Sequence, residues 1–93
     1  MTIGVLQASL EIPGNRSLKG KRRVLNSLKA RLRNKFNVSV AEIDTHDYWQ
    51  RATIGVCCIS SQSRHANEMI NEAARFIECF HETVLLDIHV EML

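Results

Sequence analysis

Residues 17–36 read SLKGKRRVLNSLKARLRNKF, and their spacing decides the local structure of the first third of the chain. Leu18, Leu25, Leu28, Leu32 and Phe36 recur at intervals of seven, three, four and four, which places them on one side of a helix. Ser17 stands where an N-cap belongs and Asn37 where the helix closes. Such a stripe must face a core, so the neighbouring segments have to supply one.

Upstream, Leu6, Ala8, Leu10 and Ile12 alternate with Gln7, Ser9 and Glu11, the period of a half-buried strand over residues 2–12. Pro13-Gly14-Asn15 breaks it before the helix. Downstream, residues 38–44 read as a short strand, residues 45–50 as a polar connection and residues 51–60 as a third strand, together a hairpin. Ser61 to Ser63 offers loop and cap residues for a second helix, in which Ala66, Met69, Ile70, Ala73, Ile77 and Phe80 keep helical spacing. In the last strand Val84, Leu86, Ile88, Val90 and Met92 alternate with Leu85, Asp87, His89 and Glu91, which predicts that the first set is buried. The order β-α-β-β-α-β predicts an α+β, ferredoxin-like sandwich: a four-stranded antiparallel sheet with two helices on one face. Ninety-three residues are enough for one domain and one core, so residues 1–93 are expected to form a single domain.

Composition excludes several classes. Forty-five per cent hydrophobic and 24% charged residues, with four Gly and one Pro, describe a globular chain rather than a disordered or fibrous one. No positive n-region opens the sequence and no apolar run reaches the ~18 residues of a membrane span, so a cytoplasmic protein with no membrane partner is expected. Cys57, Cys58 and Cys79 fit no disulfide framework and are expected to act as small buried hydrophobes, with Cys57 and Cys58 pointing to opposite faces of their strand.

Charge is where the chain departs from the ordinary. Nine of its twelve Lys and Arg lie between Arg16 and Lys35, and no Asp or Glu occurs from Ile12 to Ala41, so a net charge of +2 hides a strongly basic helix. At 100° per residue, Lys19, Arg22, Asn26, Lys29 and Arg33 form a stripe roughly 21 Å long beside the leucine face, extended by Arg23. Arg31 and Lys35 sit on the opposite flank, where their stems can wrap the core edge. This arrangement predicts that all the charges stay hydrated. A solvated face usually mixes both signs, because i,i+4 pairs support the helix; this one does not, which favours a polyanionic partner over an acidic protein surface or a partnerless face. Arg16, Lys19, Arg22, Arg23, Lys29 and Arg33 are the candidate nucleic-acid-binding residues.

Other constellations carry less. Gly20-Lys21 resembles a Walker A pair, but it comes one residue late after Gly14, and Arg22 replaces the magnesium-binding hydroxyl, so nucleotide hydrolysis is not expected. The entry loop around Arg16 makes an anion cradle, yet a cradle supplies neither nucleophile nor base, leaving a small phosphate-cleaving hydrolase as the enzyme alternative. His46 with the acids of residues 42–51 fits no metal loop, and that hairpin is expected to be solvated with Trp49 partly packed and Arg51 pairing with an acid. His65, His81 and His89 are dispersed, so neither metal nor cofactor is expected. The two central strands show no aromatic on which a base could stack, so any nucleic-acid contact should run through phosphates and shape. A third class is a homo-oligomeric or regulatory module: the outer sheet face, with Val5, Ile59 and Leu85 among Gln7, Asp87 and His89, could pair with another copy.

Three ordered blocks, Ser17-Leu18-Lys19-x-Lys21-Arg22, Phe36-Asn37-Val38-Ser39-Val40-Ala41-Glu42 and Trp49-Gln50-Arg51-Ala52, resemble those of the YlxP-like family of short, uncharacterised bacterial proteins. The resemblance spans essentially the whole chain and implies a ferredoxin-like domain. Family members are often encoded beside genes for translation initiation and ribosome maturation, which implies a partner among structured RNAs or ribosomal particles. In that family an acidic residue often follows the first Lys of the helix and completes a capping box with the Ser. Gly20 stands there instead, which should weaken the helix start by roughly 1 kcal/mol.

Overall fold

The computed structural model describes residues 1–44 and 48–93. The elements are β1 (Thr2–Glu11), α1 (Leu18–Lys35), β2 (Ser39–Asp44), β3 (Arg51–Ser60), α2 (Ser63–Glu78) and β4 (Val84–Met92). The strands form one antiparallel sheet in the order β2-β3-β1-β4, so each βαβ unit steps over one strand. This is the ferredoxin-like α+β arrangement that the sequence predicts.

The core lies between the sheet and the two helices. Leu6, Ala8 and Leu10 are fully buried, as are Leu28 and Leu32 of α1 and Ala66, Ile70, Ala73 and Ile77 of α2. Alternation in β1 and helical spacing in α1 therefore translate directly into burial. The three Phe close the margins: Phe80 is buried, while Phe36 and Phe76 meet edge to face at 6.2 Å and are partly buried. Gly4 lets α2 approach β1 closely. A Cβ added there would lie 2.6 Å from Cγ1 of Ile70 and 3.1 Å from Sγ of Cys58.

Several expectations need correction. In β4, Leu85 pairs with Leu10 and Asp87 with Ser9, so Leu86 is an extra residue in a bulge. The bulge reverses the pleat upstream of it: Leu85 packs against the core, while Val84 shares the outer face with Glu11. Of the set expected to be buried, Val84, Leu86 and Val90 are exposed, while Ile88 and Met92 are partly buried. A second bulge, in β2, inserts Ile43 between Glu42 and Asp44. Cys57 and Cys58 do point to opposite faces, yet only Cys58 is buried; Cys57 and Cys79 are exposed. Phe36, not Asn37, is the C-cap of α1, and Gln62 is the N-cap of α2 and makes no side-chain cap bond.

Candidate nucleic-acid interface

α1 starts as its sequence requires. The Ser17 hydroxyl accepts a hydrogen bond from the Gly20 N–H at 3.0 Å. Asn15 folds over this turn: its amide donates to the carbonyls of Ser17 (2.8 Å) and Trp49 (2.6 Å), while its own carbonyl accepts from Gln50 at 3.1 Å. A Cβ at residue 20 would run into Asn15 Oδ1. A side chain at residue 20 and the Asn15 clamp thus compete for the same space, which gives Gly20 a structural reason.

Lys21 breaks the expectation that every charge on the helix stays hydrated. Its side chain is 2% exposed and lies among the core residues of α1, where the ammonium forms an ion pair with Glu42 at 2.9 Å and donates to the Tyr48 carbonyl at 2.7 Å. Glu42 Oε2 is buried without a hydrogen bond among the described residues, so this ion pair is what neutralises it. The seven-residue gap between Leu18 and Leu25 was the available signal, since position 21 completes the 3-4 spacing of the stripe. Together Lys21 and Asn15 fasten α1 to the β2–β3 connection, a role that sequence reasoning missed. Residues 45–47, including the His46 weighed as a metal ligand, lie outside the described residues; Tyr48 and Trp49 are exposed.

The candidate site residues divide into two groups. Arg16, Lys19 and Arg22 are exposed and Lys29 is half-buried, and among the described residues none of the four forms an ion pair. The other two are partly engaged: Arg23 approaches Glu82 at 3.4 Å, and Arg33 donates to the Val40 carbonyl at 2.7 Å. The Arg23 pair is open to solvent, with Arg23 70% exposed, so it competes weakly with any incoming anion. On the other flank, Arg31 lies over the Phe80 ring at 5.8 Å and Lys35 over Phe76 at 5.4 Å, as stems wrapping a core edge should. Arg51 is exposed and forms no ion pair among the described residues.

A family model described as "Protein of unknown function (DUF503)" matches residues 3–90. The chain belongs to the DUF503 family. A curated relative, "Uncharacterized protein YlxP" of Bacillus subtilis (strain 168), is 38% identical over 80 residues, covering 86% of this chain and 87% of the relative. Among solved structures, the de novo designed protein Foldit4 superposes with a TM-score of 0.55 at 9% identity, covering 100% of this chain and 97% of the design. That likeness shows the fold alone. Among the described residues of this DUF503 chain, no helix is long and apolar enough to cross a membrane.

Proposed function

We propose that this protein binds structured RNA, ribosomal particles included, through phosphate contacts made by α1, and that it acts by binding rather than catalysis in the cytoplasm. The observation that carries the reading is the set Arg16, just before α1, and Lys19, Arg22 and Lys29 on it, unneutralised among the described residues, with no acid in the helix. Arg23 and Arg33 flank that set and join it once an anion outcompetes their present contacts. The first and third strands carry no aromatic side chain, in keeping with recognition of backbone and shape.

Four neutralised phosphates give log K against log salt a slope of about −3. The test is a titration of a ribosomal RNA fragment with the purified protein at several salt concentrations, repeated with Arg22→Glu/Lys29→Glu. Salt-indifferent affinity, or a double variant that binds like the parent, refutes the proposal. Sucrose-gradient sedimentation of cell extract gives a second readout, with co-migration on ribosomal particles expected at low salt and lost at high salt.

A further inference from the structure

We propose that the outer face of the sheet, opposite the helices, is a self-association surface that takes a second copy of this chain face to face. Its centre is Cys57, which has Val5 beside it on β1 and Ser39 on β2. The next outward-facing residues along β3 are Gly55 and Ile59, and Gly55 is flanked by Ala41. Ile43 leans over Gly55, with Cγ2 3.2 Å from where a Cβ would stand. Val5, Ala41, Ile43, Gly55, Cys57 and Ile59 thus make a shallow apolar floor, and Ile59 is 59% exposed, an unusual state for a large aliphatic side chain.

Charges on this face are confined to its margins. Glu11 and Arg51 oppose each other at one end, Asp44 lies on β2 opposite Thr53, and Asp87, His89 and Glu91 lie along β4 opposite Ser9, Gln7 and Val5. The acidic margin disfavours both a nucleic acid and an anionic lipid surface, since each needs cations around the apolar floor. A second copy meets a smaller penalty if the two-fold axis runs along the strands, because His89 and Glu91 of each β4 then face the uncharged Ala41 and Ser39 of the other copy, and Asp87 alone meets an acid, Asp44. Four strands at about 4.8 Å spacing and about nine residues at 3.3 Å rise give a face of roughly 600 Å², hence about 1,200 Å² for the pair, the lower end of stable interfaces. The geometry also keeps the two basic helices apart. With sheets stacked at about 10 Å and a helix layer beyond each, the α1 axes are about 30 Å distant, some three Debye lengths at 0.1 M salt. The dimer therefore leaves both α1 surfaces open.

Sedimentation equilibrium of the full chain in its Cys79→Ser form tests this, at low and high salt. The expected result is a concentration-dependent doubling of mass that persists in high salt, is abolished by Ile59→Lys and by Cys57→Lys, and in the Cys57 form is trapped by a short bis-maleimide joining Cys57 to Cys57 of the second copy. Circular dichroism checks that both variants fold, which their exposed positions favour. A chain that stays monomeric, a dimer that dissolves in salt, or one that survives both lysines overturns the proposal. So does a face whose lysine variants alter only vesicle flotation or RNA affinity and leave the mass unchanged.

Discussion

Replacing Lys21 by Met keeps most of the buried stem and removes only the ammonium, so it isolates what that charge does. Among the described residues, two groups lose a partner. The Glu42 carboxylate, 18% exposed, is left without its counter-charge, and the Tyr48 carbonyl loses a donor at 2.7 Å. A hydrogen bond from a charged donor contributes ~1.5–3 kcal/mol, and removing one member of a buried pair costs ~3–5 kcal/mol. Glu42 can turn partly toward water, and Met avoids dehydrating an ammonium, which brings the expected loss to about 3 kcal/mol. Unfolding entropy of ~2.1 cal/mol/K per residue over this chain gives about 0.2 kcal/mol/K, so the melting temperature should fall by about 15 °C. Thermal unfolding followed by circular dichroism, with Trp49 fluorescence as a local probe, measures it. The double variant Lys21→Met/Glu42→Gln removes the stranded charge and should regain at least about 1 kcal/mol. A single variant within about 0.5 kcal/mol of the parent, or strictly additive effects in the cycle, would refute the assignment of Lys21 as the charge that holds Glu42 and the hairpin.

Three further outcomes follow from packing. Gly4→Ala drives a methyl into Ile70 and Cys58 and should destabilise by about 1–3 kcal/mol in denaturant titration, whereas a neutral effect would mean α2 can lift off β1 without cost. Thr83→Val should stabilise by about 1 kcal/mol, because the Thr83 hydroxyl is buried with no partner among the described residues and Val keeps its shape; a loss of stability would reveal a hydrogen bond to that oxygen. Gly20→Ala should be nearly neutral in the parent but stabilising by about 1 kcal/mol in an Asn15→Ala background, since the helix-propensity gain is offset only while the Asn15 clamp is there to be displaced. Equal effects in both backgrounds would sever that link.

What could be read from the sequence was whatever repeats. Leu6, Ala8 and Leu10 in β1, and Leu25, Leu28 and Leu32 in α1, are buried because strand and helix periods are rigid consequences of backbone geometry. The order of elements came from the same source. A single inserted residue defeats that reasoning: Leu86 shifts the pleat of β4 by one, so Val84 and Leu85 exchange faces although their sequence alternates cleanly. Charge patterning likewise gave the basic helix but not the fate of each cation. Lys21 has the same formal charge as Lys19, and only its place in the leucine stripe distinguishes a buried anchor from a solvated one. Asn15 was invisible because its partners at Trp49 and Gln50 lie far along the chain, and long-range pairing leaves no local pattern.

The two bulges sit in β2 and β4, the two strands with an unpaired side. A strand edge is a template on which another chain can extend the ladder, and a kink in that edge spoils the template within a few residues. Both flanks of this open sheet are thereby poor seeds for strand-by-strand growth into fibrils, so a small protein with exposed isoleucines is steered away from runaway polymerisation.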